Sequence, residues 1–340
     1  MTKTVAITTP TGNVGSKLIP DLLQYAQKHD IQVVLLARKP HAVARWARSG
    51  VRVCAGHLED PDFLVSATRG VDALYWCTPN SFSPELTMRG GYRSFAESAA
   101  HAIKTNKIAH TVHLSGFAHV DDGGGDRSLF GALADSEAIL GGAVEALQLA
   151  SPRETYGITH LRAGFFFENL LGQLESMRDN GRVYLPVNLK QRIPMVASHD
   201  VARKALESLL HGSPRGRVFQ GVFGPEDLSF AQVSSSLTAG VGREIRVLRL
   251  PAVLIRYQML RMGRDPRTTE AFMLTFKAIT KGKVTAEPPR DASSTTGMSL
   301  AQWASDVLKP LIEGVDGAVC PVRVQYEAPE VAAQAGVPVA

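Results

Sequence analysis

Residues 4–16 read Thr-Val-Ala-Ile-Thr-Thr-Pro-Thr-Gly-Asn-Val-Gly-Ser, and this stretch decides the fold. Val5 to Thr8 is a short, β-branched run that predicts a strand almost at the N-terminus. Gly12 and Gly15 punctuate a tight turn, and Lys17 to Ala26 then sets Leu18, Ile19, Leu22 and Leu23 on one helical face. Strand, glycine turn and helix in this order are the context of a dinucleotide-binding loop. A helix start offers unpaired backbone N–H groups and partial positive charge, and glycine lets a pyrophosphate approach closely. The first glycine of G-x-x-G-x-x-G is replaced by Thr9, whose Cβ pushes the turn outward. The other reading is a βα turn whose glycines serve packing alone.

The 340 residues suit one large domain or two smaller ones, and a hydrophobic fraction of 44% supports a sizeable core. The net charge of +5 reads as spread along the chain, with no basic run of the nucleic-acid type. Cys54, Cys77 and Cys320 are too few and scattered for a disulfide framework or a zinc site, and no metal is expected. No secretory leader precedes the first strand, and no apolar stretch is long enough to span a membrane. The expectation is a soluble, cytoplasmic protein with no nucleic-acid or membrane partner.

Outward from the glycine turn, strands alternate with helices. Residues 32–37 form an apolar run of the kind buried on both faces, ending in Arg38-Lys39-Pro40. In dinucleotide folds an acid here binds the 2′-hydroxyl of NAD, whereas Arg pairs with the 2′-phosphate of NADP. Two cations and no acid point to NADP, against a solvated pair of loop charges. A short helix over 42–48 carries Trp46, a strand covers 51–55, and Asp60 caps a helix over 61–68. The strand over 71–77 ends in Thr78-Pro79-Asn80, where Cys77 reads as a core thiol. A helix over 92–105 leads to a strand over 111–114, with His113 inside it and Ser115 at the carboxyl end where ligands bind. The polar loop 121–127 reads as an active-site flap or an ordinary surface loop. A helix over 137–150 and a strand ending at Leu161-Arg162 complete an unbroken parallel alternation.

The second half is less regular. Phe165-Phe166-Phe167 is expected to open a helix, and 182–194 a β-rich excursion. Helices are expected at 198–210, from 229–230, twice within 252–281, and at 299–311, with strands at 218–222 and 245–250. Tyr257, Met259, Met262, Phe272, Met273 and Phe276 form a stripe that serves either as core or, with 165–167, as the wall of an apolar pocket. Residues 313–340 lack periodicity and read as a flexible tail.

These residues resemble the NmrA-like group of atypical short-chain dehydrogenases. The likeness rests on Thr-Pro-Thr-Gly-Asn-Val-Gly-Ser-Lys-Leu at 9–18, Ala-Arg-Lys-Pro at 37–40, Val-Asp-Ala-Leu-Tyr-Trp-Cys-Thr-Pro at 71–79 and His-Leu-Ser-Gly at 113–116. Leu-Arg-Ala-Gly-Phe-Phe-Phe-Glu-Asn at 161–169, His-Asp-Val-Ala at 199–202 and Phe-Gly-Pro-Glu-Asp-Leu-Ser at 223–229 continue it, so it covers about residues 3–312. It implies an α/β fold, an extended Rossmann doubly wound parallel sheet with a smaller, mostly helical C-terminal substrate part. Residues 1–162, with 195–225 returning to them, would bind NADP(H); 163–194 and 226–312 would take substrate. By analogy Thr9, Thr11, Gly12, Asn13, Val14 and Gly15 hold the pyrophosphate, and Arg38 and Lys39 the 2′-phosphate. Thr78 and Pro79 lie near the nicotinamide ribose, and Ser115 and Gly164 at the nicotinamide end.

No Tyr-x-x-x-Lys pair occurs in the chain. Many relatives carry Lys or His one turn before a glutamate in the helix after the fifth strand; with Glu145 as that glutamate, the position is Gly141. Quinones and dye cations take a hydride without a dedicated side-chain acid, so orientation in a dry pocket suffices. The expectation is therefore an NADPH-dependent reductase of quinone-like or other conjugated aromatic molecules, possible homodimer included. Ser115 is its candidate catalytic residue, with Tyr92, Tyr156 or Tyr184 as proton source. A non-catalytic NADPH sensor is the alternative, and a non-redox epimerase or dehydratase ranks last.

Overall fold

The structure, a computed structural model, describes residues 2–47, 51–79, 86–119, 128–212, 214–282 and 284–315. Seven parallel strands form the main sheet: β1 (Lys3–Thr8), β2 (Ile31–Ala37), β3 (Arg52–Ala55), β4 (Ala73–Trp76), β5 (His110–Gly116), β6 (Gly157–Ala163) and β7 (Gly216–Val222). Their order is β7-β6-β5-β4-β1-β2-β3. The chain winds outward from β1 through β2 to β3, then restarts at β4 on the other side of β1. The gap beyond the carboxyl ends of β1 and β4 is thus the topological switch point, where open α/β sheets bind ligands.

Side chains alternate across the sheet with period two. Val5, Ile7, Val33, Leu35 and Tyr75 meet Leu18, Ile19 and Leu22 of helix α1 (Gly15–Ala26) and Val201, Ala205 and Leu209 of a helix at Ser198–Leu210. Ala6, Val34, Leu36, Leu74 and Trp76 face the other way, onto α2 (Pro61–Ala67), α3 (Met88–Asn106) and α4 (Leu129–Ala150). Burial on both faces is why these strands read as continuous apolar runs. We label the Ser198–Leu210 helix α5.

Several boundaries differ from the sequence expectation. Helix α3 begins at Met88 rather than 92, because Thr87 caps it by accepting the Gly90 N–H at 3.1 Å. Helix α4 begins at Leu129 rather than 137, with Ser128 as its cap. Phe165-Phe166-Phe167 does not open an α-helix. Phe165 and Phe166 form a short parallel strand against Met195 and Val196, and Phe167 starts a 3-10 turn running to Gln173. Trp46 lies on a single α-turn, Ala44–Ala47, after a 3-10 turn at Pro40–Val43. The last helix contains a π-turn at Ala304–Leu308. The loop 121–127, Asn80, Cys320 and the tail from 316 lie outside the described residues.

The C-terminal half builds its own core from Phe167, Leu171, Met177, Ile193, Phe230, Leu237 and Trp303. It includes α6 (Phe230–Val241), α7 (Ala252–Arg261) and α8 (Pro266–Thr280). Among the described residues no helix is long and apolar enough to cross a membrane.

Two fully buried histidines face α4 from neighbouring strands. His113 Nδ1 and His160 Nδ1 lie 2.9 Å apart, so one donates and the other accepts. Burial pushes both imidazoles down, His113 to about 4 and His160, with nearby cations adding to burial, to about 2. Both therefore fold neutral while the unfolded chain takes up protons below pH 6.5. Their contribution to stability is complete above pH 6.5 and is lost as pH falls, by about 2 kcal/mol per histidine at pH 5. Thermal unfolding from pH 7.5 to 5 is expected to show this drop, reduced in His160→Leu; an equal drop in the variant would refute it. Thr9 sits at φ +45°, a region costly for a β-branched residue. Thr9→Gly is expected to raise the melting temperature, stabilising the fold by up to about 1 kcal/mol net of the added unfolded-chain entropy.

Candidate functional site

The glycine turn crosses the switch point. The Thr9 carbonyl accepts the Gly12 N–H at 2.9 Å. A Cβ at Gly15 would stand 2.4 Å from that carbonyl, so this position needs the bare backbone, while one at Gly12 would stand 3.2 Å from it, a tight fit. Thr9, at the first glycine position, meets the turn's demand by adopting positive φ instead of displacing the turn. Helix α1 begins directly afterwards, with no side-chain cap at Val14 and no acid in its first turn. The Ser16 and Lys17 N–H groups bond the Gly12 and Val14 carbonyls at 3.0 Å, so what the helix offers an anion is its partially positive end and a first turn without acidic side chains. Thr11 is exposed, Asn13 half-buried and Val14 buried in the sheet-side core.

Thr8 joins the turn to the next strand. Its hydroxyl donates to the Tyr75 carbonyl at 3.1 Å and accepts the Cys77 N–H at 2.9 Å. Cys77 is half-buried, and burial pushes its thiol up, which keeps it protonated and a poor nucleophile. Thr78 follows, buried, with no hydrogen-bond partner for its hydroxyl among the described residues. Pro79 is half-buried beside it. Arg38 and Lys39 stand exposed at the carboxyl end of β2, on the far side of the turn.

Ser115 lies near the carboxyl end of β5, in register with Arg162 of β6. Its hydroxyl is also buried and without a partner among the described residues. Both side chains point to the α4 face, opposite Val112 and Leu161. Arg162 makes a bidentate pair with Glu137 of α4, Nε to Oε1 at 2.9 Å and Nη2 to Oε2 at 2.6 Å. Its Nη1 donates to the Glu287 carbonyl at 3.0 Å, and its guanidinium lies 4.2 Å over the Phe219 ring. This buried cation beside Ser115 was not singled out from the sequence. The signal was there: an arginine inside an apolar strand needs an acid on the facing helix.

The geometry also reassigns the helical glutamate. Helix α4 runs antiparallel to the strands, and Glu145 pairs at 3.0 Å with Arg217 near the amino end of β7. Gly141, beside the same guanidinium, is likewise far from the ligand end. Glu137 is the glutamate at the carboxyl ends, and the residue one turn before it is Leu133, packed over Gly116. Neither choice supplies a Lys or His.

Of the three tyrosines, Tyr156 precedes β6 at the amino end and donates to Glu154, away from the site. Tyr92 is buried on α3, and burial pushes its phenol up. Tyr184 is half-buried on the Arg182–Leu185 strand. Gly164 has a packing reason: a Cβ there would stand 2.9 Å from the Pro194 carbonyl. Beyond it Phe165 packs against Phe276 (centroids 6.3 Å), which packs against Phe272 (4.5 Å). Phe167 is instead core, against Trp303, while Tyr257 and Met262 lie on the surface. Among the described residues no cluster of three or more metal-ligating side chains occurs.

Residues 1–286 match the NmrA-like family. An NAD(P)H azoreductase from Xenophilus azovorans is 26% identical over 261 residues, covering 77% of this chain and 82% of its own. An NADPH-dependent quinone oxidoreductase from Escherichia coli, solved with NADPH, superposes with a TM-score of 0.70 at 17% identity, over 88% of this chain and 98% of that one. The triphenylmethane reductase of Citrobacter sp. gives 0.63 at 17% identity, over 92% and 98%. These two share the fold, a Rossmann-type parallel sheet with flanking helices. The family match runs from the glycine turn through both halves of the fold, and the chain belongs to the NmrA-like family.

Proposed function

We propose that this chain is an NADPH-dependent oxidoreductase that reduces quinone-like or other conjugated aromatic small molecules. The observation that carries the reading is a pair of buried hydroxyls without partners among the described residues, Thr78 just past β4 and Ser115 near the end of the neighbouring β5, at the sheet edge that carries the glycine turn. Unpartnered polar atoms also occur deep in the core, but these two stand at the carboxyl ends of the strands, where open α/β sheets bind ligands. The names of the relatives, an azoreductase, a quinone oxidoreductase and a dye reductase, support the substrate class.

The residues present fit the nucleotide. The backbone from Thr9 to Gly15, with Thr11, Gly12, Asn13 and Val14, holds its pyrophosphate at the start of α1. Arg38 and Lys39 take the 2′-phosphate, Thr78 and Pro79 the ribose, and Ser115 and Gly164 border the nicotinamide end. Bound NADPH supplies the hydride. Ser115 donates its hydroxyl hydrogen to the acceptor oxygen, and Arg162, fixed by Glu137, biases that position toward developing negative charge. Phe165, Phe272 and Phe276 form the apolar wall that orients a flat acceptor and excludes water. Residues 1–162 with 195–225 serve as the nucleotide half, and 163–194 with 226–312 as the acceptor half. No Tyr-x-x-x-Lys pair takes part, so solvent completes protonation of the product.

NADPH fluorescence tests the reading: it is expected to rise on adding protein and decay on adding quinones or azo dyes. A rise that never decays with any acceptor would instead assign a nucleotide sensor. Ser115→Ala is expected to lower kcat/KM for a quinone by about tenfold or more with NADPH binding little changed; unchanged turnover removes Ser115 from this role. Arg38→Glu is expected to weaken NADPH binding by about tenfold or more and leave NADH within a few-fold, since only the 2′-phosphate pair is lost.

A further inference from the structure

The arginines are not evenly spread. From Arg246 to Arg264 the sequence has five arginines and no acid, and the remainder has as many acids as lysines and arginines. This one segment therefore carries the whole net charge of +5. Its centre is α7, which buries only Ile255. Val253 is 69% exposed, Leu254 48%, Tyr257 59% and Met262 72%. Helical spacing gathers Val253, Leu254, Tyr257 and Arg261 on the outer face, opposite Ile255. The Arg261 guanidinium lies 5.9 Å over the Tyr257 ring, and Arg249, before the helix, and Arg256, on it, are exposed.

An outward helix face is ordinarily polar. This one is apolar and basic at once, the composition of a helix that lies in a bilayer interface. Apolar side chains enter below the headgroups, and arginine stems let their charges reach the phosphates. A second copy is a poor occupant: a two-fold contact would set these arginines against each other with no acid between them. We propose that α7 is a docking surface for an anionic lipid bilayer, seated on it rather than crossing it.

The position favours this use. Helix α7 leads into α8, whose Phe272 and Phe276 reach Phe165. Docking would hold the acceptor side at the interface, where apolar quinone-like compounds partition; that consequence alone rests on the proposed function.

The test needs neither nucleotide nor acceptor, so its failure leaves the reductase reading standing. The full-length chain is floated with phosphatidylcholine vesicles and with vesicles containing about one third phosphatidylglycerol. Binding is expected on the anionic vesicles, about tenfold weaker on phosphatidylcholine, and falling with salt. Arg256→Glu with Arg261→Glu is expected to weaken it about tenfold or more. Val253→Ser with Tyr257→Ser is expected to weaken it at constant charge, and circular dichroism checks that each variant folds. Equal binding to both vesicle types, no binding, or unchanged affinity in the charge reversal would overturn the proposal. A concentration-dependent dimer in sedimentation velocity without vesicle binding would also overturn it and assign the face to a second copy.

Discussion

A buried carboxylate ties the C-terminal part of the fold to the sheet and the glycine turn. Glu168 accepts the Ser198 N–H at 3.1 and 3.2 Å, the Ser198 hydroxyl at 2.5 Å and the Lys17 ammonium at 3.0 Å. A negative charge at the start of α5 meets the positive end of that helix, and Lys17 completes its neutralisation. Three elements converge on one group: the segment after β6, the start of α5, and the helix that follows the glycine turn. The turn's position is therefore tied to the C-terminal half as well as to the sheet. Asp200, one turn into α5, extends the tie by accepting the Met298 N–H at 3.1 Å.

A second buried charge organises the ligand end of β5 and β6. Arg162 is clamped by Glu137, the Glu287 carbonyl and the Phe219 ring, so its charge cannot swing out to solvent. Next to it Ser115 keeps an unspent hydroxyl. Thr8 handles the equivalent place on β1 differently, committing its hydroxyl to the backbone of β4. The open hydroxyls thus lie just past β4 and on β5, and the closed one at the end of β1.

Much of this was legible in the sequence, for physical reasons. Strands buried on both faces leave unbroken apolar runs, as at 32–37, and βα turns leave glycines where backbone crowds backbone, as at Gly15. The strands of the main sheet and the place of the glycine turn followed from those two signals. Phe165 to Phe167 misled because three adjacent aromatics carry no period: one faces Phe276, one the sheet, one Trp303. The starts of α3 and α4 were missed because Gly90-Gly91 and Gly131 depress helix propensity that tertiary packing and the Thr87 and Ser128 caps restore. Glu137–Arg162 and Lys17–Glu168 join residues far apart in sequence, which no local pattern reports.

The placement of β7 has a consequence for how the chain comes to be folded. Strand β6 is finished by Ala163, yet its outer neighbour, β7, starts only at Gly216. During synthesis the edge of β6 stands open, N–H and C=O groups unmatched, until the whole stretch through α5 has left the ribosome. Closing that gap is a long-range step with a large loop to order, so the last edge of the sheet is the slow and exposed stage of assembly.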